Sequence, residues 1–249
     1  MVTRKPILSD TQYLTLTNTS NFSDNNLISS ISDSTFKILR AGFESGEVLS
    51  FPLGSELPIA ARPDDVNWCY LICSGRVRLL HEDRHLHRQR SVTVLEAGEV
   101  FGVDHLLHDR TLPYRVVAAS PCYLIQLPFD QLSVLFDNYP FLRPYLQQKA
   151  QERERLVFFK GFTPLRSHPG EKLKHVLLPQ LTEQIVPAST PLSHQVGDRP
   201  CQVWLRSGKI LSSGDSSAAP RMGDSWYEDA PATDGWIAAT DVLLYKRLP

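Results

Sequence analysis

Tyr70-Leu71-Ile72-Cys73-Ser74-Gly75-Arg76-Val77 is an apolar run that stops at a serine-glycine turn and resumes on a basic and an apolar residue. The chain comes back to it at Val203-Trp204-Leu205-Arg206-Ser207-Gly208-Lys209-Ile210. Other phrases return in the same order. Pro52-Leu53-Gly54-Ser55 is answered by Pro187-Ala188-Ser189-Thr190, and Ala97-Gly98-Glu99-Val100-Phe101 by Met222-Gly223-Asp224-Ser225-Trp226. Val117-Ala118-Ala119-Ser120-Pro121-Cys122-Tyr123-Leu124 through Leu127-Pro128 is answered by Ala238-Ala239-Thr240-Asp241-Val242-Leu243-Leu244 through Leu248-Pro249, with one residue of slippage. An ordered recurrence of roughly 135 residues implies two copies of one domain.

Around these phrases the first copy reads as short β-rich runs broken by Gly, Pro and charged turns: Val48 to Phe51, Trp68 to Ile72, Arg76 to His81, Ser91 to Leu95, Arg115 to Ala119 and Tyr123 to Leu127. Many short strands with regular turn signals indicate a sandwich or barrel. Residues 1–34, rich in Ser, Thr, Asn and Asp, are expected to be irregular. Phe36 to Phe43 suits a short helix with Asp33 or Ser34 as its N-cap. From Phe129 the apolar period lengthens to three or four. Leu132, Leu135 and Phe136 share one helical face, and Leu142, Leu146 and Lys149 belong to a second helix that Pro140 and Pro144 bound or kink. Gln147 to Leu156 is a strong helix former, read as a mostly solvated, charged face with an apolar stripe that bridges the copies. Glu171 to Leu178 makes a short helix before the second, shorter set of strands, which carries a glycine- and serine-rich turn at Ser212 to Ala219.

The 249 residues suffice for two domains, each with its own core. With 26 basic and 27 acidic side chains, the net charge of −1 gives no global electrostatic case for nucleic acid or an anionic membrane. No apolar run has the length of a spanning helix, and the N-terminus lacks a signal-peptide core, so the chain reads as cytoplasmic without direct membrane insertion. Cys69, Cys73, Cys122 and Cys201 read as reduced, buried thiols. Cys69 and Cys73 share a strand face but have no second ligand pair for zinc.

The first copy, over about residues 36 to 157, resembles the cyclic-nucleotide-binding domain family. The carriers are the Tyr70-to-Val77 strand and turn, Gly98-Glu99-Val100-Phe101-Gly102, and the Ala-x-x-x-Cys-x-Leu-x-x-Leu-Pro strand ending at Pro128. The resemblance implies a β jelly roll with an N-terminal helical piece and two C-terminal helices. It also implies a phosphate-binding cassette, in which a Gly-Glu pair follows the phenylalanine and an Arg comes nine or ten positions after the Glu. Backbone N–H groups and the Arg would hold the cyclic phosphate, and the Glu would accept from the ribose hydroxyl.

Measured against that pattern, this chain keeps Gly102, but Val103 stands in the place of the Glu and cannot accept a hydrogen bond. Leu112 falls where the Arg is expected, with Arg110 and Arg115 close by and Asp104 one step past the missing Glu. The preferred reading is a cassette that has lost or weakened nucleotide recognition, with Arg115 reaching solvent or a surface carboxylate. The alternative is a genuine cyclic-nucleotide or small-anion sensor that uses Arg110 or Arg115, a loop shift restoring a charge pair with Asp104. The candidate ligand-binding residues are therefore Gly102, Val103, Asp104, Arg110 and Arg115, with a cyclic nucleotide the one ligand considered and no resident cofactor. In the second copy the stretch from Asp224 to Gly235 carries Asp224, Glu228, Asp229 and Asp234 and no arginine, which repels phosphate. Trp226 and Trp236 are expected to pack rather than to form a ligand platform.

A nucleotide-domain-like unit followed by a shorter, degenerate one also looks like the N-terminal regulatory region of cyanobacterial-type peptide-exporting ABC transporters. That resemblance makes such a transporter, or another protein, the expected partner. No membrane span, phosphate loop or peptidase signature is visible in the sequence, so only the regulatory part is expected here. His81, His85 and His87 raise a third alternative, a cupin-like metal protein. The glutamate a cupin needs shortly after its His-x-His pair is absent, Ser91 and Val92 standing there, and the ordinary reading is a charged hairpin. No nucleophile-base motif indicates an enzyme. After Phe162 the chain is proline-rich and charge-balanced, unlike a helix-turn-helix reader of DNA. The apolar stripe on the Gln147-to-Leu156 helix would either pair two chains as a homodimer or pack on the second barrel. The expected architecture is mainly β with flanking helices: an irregular 1–34, a cyclic-nucleotide-binding-like jelly roll at 35–157, and a shorter, degenerate one at 158–249. Its expected role is that of a non-catalytic regulatory module.

Overall fold

A computed structural model describes residues 3–4, 35, 37–57, 68–83, 88–192, 201–212, 219–227 and 235–247. The N-caps expected at Asp33 and Ser34, the pair His85 and His87, and the acidic loop 228–234 lie outside the described residues. The chain divides into two compact units, Met1–Glu154 and Arg155–Pro249. It is mainly β, with helices flanking the strands.

Among the described residues, nine strands belong to the first unit: β1 Thr3–Arg4, β2 Glu47–Phe51, β3 Glu56–Leu57, β4 Trp68–Ser74, β5 Val77–Asp83, β6 Arg88–Leu95, β7 Val100–Phe101, β8 Arg115–Ala118 and β9 Cys122–Pro128. Their pairing is antiparallel, in two sheets ordered β1-β2-β9-β4-β7 and β3-β8-β5-β6. With the short β1 set aside, the orders 2-9-4-7 and 3-8-5-6 are those of an eight-stranded jelly roll. The unbroken apolar run of β4 follows from burial on both faces. Cys69, Leu71 and Cys73 join a core with Leu132, Phe136, Leu142, Leu146 and Ala150 from the helices behind the sheet. Tyr70 and Ile72 point the other way, and Tyr70 stacks on Phe101 at 5.2 Å between ring centroids. The helices are Asp104–Leu107, Phe129–Asn138 and the long Leu142–Phe162, with residues 37–42 also helical. Pro140 lies between the last two. Pro144 lies in the first turn of the long helix, where its missing N–H has no partner to lose.

Within the second unit, β10 Leu181–Val186, β15 Val242–Arg247, β11 Gln202–Ser207 and β13 Ser225–Tyr227 form one sheet in that order, and β12 Ile210–Ser212 pairs with β14 Trp236–Ala238 in another. Pro191 makes a further bridge to Ile237. Val186, Val203, Leu205, Trp236, Val242 and Leu244 centre its core. Phe159 packs edge-on to Trp204 at 5.3 Å and against Tyr245 at 5.8 Å. Trp226 and Trp236 meet edge to face at 5.4 Å, so both pack as expected. The short helix expected at Glu171 to Leu178 is a run of tight and wide turns, Gly170–Lys172, Leu173–Leu177 and Leu178–Gln180.

Each recurring phrase closes the same backbone bonds in its own unit. In the first, Arg76 N–H donates to Ser120 Oγ (2.9 Å) and Ala119 N–H to the Arg76 carbonyl (2.8 Å); in the second, Lys209 N–H donates to Thr240 Oγ1 (3.0 Å) and Ala239 N–H to the Lys209 carbonyl (2.8 Å). Gly98 N–H donates to the Ile72 carbonyl and Ile72 N–H to the Glu99 carbonyl, as Gly223 N–H does to Leu205 and Leu205 N–H to Asp224. A strand irregularity falls between Ile72 and Ser74, and again between Leu205 and Ser207. The glycines are required where they stand. Gly75 and Gly208 hold φ of 81° and 95°. A Cβ on either would lie 2.2 Å from the Pro121 carbonyl oxygen or 2.4 Å from that of Asp241.

Candidate functional site

Between β7 and β8 the chain makes one glycine turn, one short helix and one loop, and the expected cassette residues separate there into a buried set and a surface set. Gly102 follows β7 with φ +102°, and a Cβ there would sit 2.6 Å from the Trp68 carbonyl oxygen and 2.7 Å from the Tyr70 ring. Only glycine turns the chain this close to β4. Val103 is 1 % exposed and belongs to the core beside Leu107, so the residue in the place of the ribose acceptor is a packing residue.

Asp104 opens the short helix and turns inward. Its carboxylate accepts from Arg153 Nε at 2.9 Å through Oδ2 and from Arg153 Nη2 at 2.5 Å through Oδ1. The Tyr114 hydroxyl donates to the same Oδ2 at 2.6 Å. The Arg153 and Asp104 side chains are 6 % and 5 % exposed. A fork of two parallel N–H bonds on a carboxylate is the strong, geometrically specific form of this pair. Burial raises the Tyr114 phenol well above its ordinary range, and the neighbouring Asp104 charge adds to that, against the lowering effect of Arg153 and of a bond to the Gly102 backbone. Burial alone would lower the Arg153 guanidinium; the Asp104 charge and hydrogen bonds outweigh it, and the group is held more firmly protonated than usual. Burial likewise raises the Cys69 thiol, with the Asp104 charge adding to the rise. One network thus joins the glycine turn, the short helix, the loop before β8 and the long helix.

The charge pair of Asp104 with Arg110 or Arg115, the alternative reading, is not formed: the Asp104 carboxylate bonds to Arg153 and Tyr114, and Arg115 meets a surface carboxylate as the preferred reading had it. Arg115 begins β8 on the outer face, because Val116 and Ala118 alternate into the core. There its guanidinium clasps Glu56 on the neighbouring β3, Nε at 2.6 Å from Oε1 and Nη2 on Oε2. The bond to Arg115 lowers the Glu56 carboxyl below its ordinary 4.5. Arg110 is exposed in the turn after the short helix.

Arg153 is the residue that reading the sequence missed. Its helix was expected to present its charges to solvent, yet Arg153 and Glu154 are 5 % and 3 % exposed. The signal was present in the spacing: Leu142, Leu146, Ala150 and Arg153 follow one another by four, four and three along a single helical face. A cation on an apolar stripe calls for a buried anion, and Asp104 is the acid set among Val103, Leu106 and Leu107.

Among the described residues, no group of three or more His, Cys, Asp or Glu side chains is placed to hold a metal ion. His81 is buried on β5. No helix of the described residues is long and apolar enough to cross a membrane.

Comparison with known proteins bears on the first unit. Residues 57–139 match the model of the family described as "Cyclic nucleotide-binding domain". No curated protein matches the sequence. Among solved structures, the c-di-GMP-responsive global regulator CLP of Xanthomonas campestris is 16% identical, over 58% of this chain and 65% of that one, with a TM-score of 0.41. The catabolite activator protein of Thermus thermophilus is 22% identical over 50% of this chain and 61% of its own, with a TM-score of 0.35. The regulatory domain of Toxoplasma gondii PKA, solved with cAMP, is 16% identical over 91% of both chains, with a TM-score of 0.34. A cyclic nucleotide-binding domain is therefore supported for the 57–139 segment, which runs from the end of β3 to the end of the first C-terminal helix.

Proposed function

We propose that this chain is a non-catalytic, cytoplasmic regulatory module made of two units of one jelly-roll design, whose cassette no longer recognises a cyclic nucleotide and whose output is contact with a protein partner. One observation carries this reading: Asp104, the carboxylate one step past the place of the Glu, is already held by Arg153 and Tyr114. Core packing of Val103 and the Arg115–Glu56 pair support it from either side. The closed-up cassette thus offers neither a ribose acceptor nor an inward Arg on β8. The shared backbone bonds of the two units support a common design, the second having kept the sheet of β10, β15, β11 and β13 more fully than the sheet of β12 and β14. A peptide-exporting ABC transporter is the partner that the sequence resemblance favours.

Calorimetric titration of the full chain with cyclic AMP and cyclic GMP tests the ligand half. The expected result is no binding below the millimolar range. Micromolar binding abolished by Arg115→Ala or Arg110→Ala would establish a nucleotide sensor instead. Co-purification with a peptide-exporting transporter, and a change in its ATPase rate when the module is added, tests the partner half. An ATPase rate unmoved by saturating module would reject that partner.

A further inference from the structure

We infer that Asp104 is a built-in anion, a carboxylate of the chain itself that occupies the Arg153 fork and keeps the short helix docked on the long helix with no ligand bound. The inference rests on the reading of the cassette as closed to cyclic nucleotides.

The geometry assigns it. Arg153 is the buried guanidinium of the segment, and its Nε and Nη2 both point at Asp104. The same planar fork matches a carboxylate or a phosphate, so either can hold it, one at a time. Asp104 and Arg153 are 49 residues apart, on two different helices. Their bond is therefore a tertiary latch and not part of any helix's own ladder. Tyr114 extends the latch to the loop before β8. A charge-neutralised pair that is almost fully buried needs nothing from solvent. The position of the short helix is in consequence fixed by the fold, and regulation by this unit runs through whatever touches its surface rather than through ligand entry at the cassette.

Amide hydrogen exchange on the full chain, compared with and without sodium formate at constant ionic strength, tests the latch. Formate supplies the carboxylate without the tether. In the wild type, exchange across residues 102–114 is expected to be slow and unmoved by formate or cyclic AMP. In Asp104→Ala it should quicken by about tenfold or more, and formate should slow it again. In Asp104→Ala combined with Arg153→Met it should stay fast with formate present, since the fork is gone. Asp104→Asn, which keeps the side-chain shape and removes the charge, is expected to open the same segment and covers the case where the alanine variant does not fold. The inference is overturned if Asp104→Asn exchanges like the wild type, or if formate acts equally with and without Arg153. Micromolar cyclic AMP binding by the wild type would instead overturn the closed-cassette reading. A silent wild type with a silent Asp104 variant removes the built-in anion alone.

Discussion

Arg153→Met should be among the most damaging single changes in the first unit. The substitution keeps the stem and the volume while deleting the fork, so packing loss is small and the electrostatic cost is isolated. Both partners are at most 6 % exposed, and removing one member of a buried ion pair costs about 3–5 kcal/mol. For a unit of 154 residues, each kcal/mol moves the midpoint by about 2–4 °C, so the first-unit transition should fall by roughly 6–20 °C. With Asp104→Asn the guanidinium is the stranded partner; it cannot shed its charge, so that deficit persists at every pH. The assay is a double-mutant cycle of Arg153→Met and Asp104→Asn by urea unfolding, reporting on amides of Tyr70 to Ile72 in β4. A coupling of at least about 2 kcal/mol is expected. Additivity within about 0.5 kcal/mol would show that the pair is screened by water, and would refute the reasoning from burial.

Further outcomes separate the surface from the interior. Breaking the outer pair by Glu56→Gln should lower the urea midpoint only slightly at neutral pH, since its side chains are 37% and 51% exposed. The Glu56 carboxyl lies below its ordinary 4.5 when folded, so whatever the pair contributes is present above that pH and is lost as pH falls further; urea midpoints of wild type and variant should converge in that acid range. Tyr114→Phe removes a hydrogen bond to a charged group and should cost about 1.5–3 kcal/mol at neutral pH. Because burial holds the Tyr114 phenol above its ordinary 10.0, its stabilising share is intact below pH 10 and is lost as pH rises beyond; the variant's stability should therefore fall less steeply in alkali. Gly102→Ala places a methyl 2.6 Å from a carbonyl oxygen at φ +102°, a strain of roughly 1–3 kcal/mol or more, seen as a lower thermal midpoint. Gly223→Ala, 2.0 Å from the Phe162 carbonyl oxygen, should lower the second unit's midpoint by at least as much.

The strands were legible because their causes are local. Ser74-Gly75 and Ser207-Gly208 are turns whose side-chain-free residue is dictated by a carbonyl oxygen against the backbone, and a backbone demand of that kind leaves its mark in the residue type. The run of β4 was legible as an apolar strand, and its burial on both faces is the physical cause of that composition. Site electrostatics behaved differently. Asp104 is followed closely by His105, His108 and Arg110, yet its partners are Tyr114, ten positions on, and Arg153, forty-nine positions on. Reading along the chain therefore offered Arg110 and Arg115 first. Only the packing of the long helix behind the sheet brings Arg153 within reach, and only its place on the Leu142, Leu146, Ala150 stripe hinted at that.

The same alternation that builds the barrel supports the proposal that Arg115 does not serve as the cassette arginine through a small loop movement. Along β8 the inward positions are Val116 and Ala118, 0% and 2% exposed, and Arg115 and Val117 face outward. Since side chains change face at every residue, moving Arg115 to the interior means sliding β8 by one position. That slide would expel Val116 and Ala118 and break the register of Leu79 with Val116 and of Val77 with Ala118 on β5. It would also part Arg115 from Glu56 and draw Tyr114 away from Asp104. Expelling one buried valine alone forfeits about 1.5–3 kcal/mol, and a lone arginine–phosphate contact does not return the sum. On the proposed reading the buried cation of this segment comes from another element: the long helix supplies it at Arg153, which a carboxylate of the chain already holds.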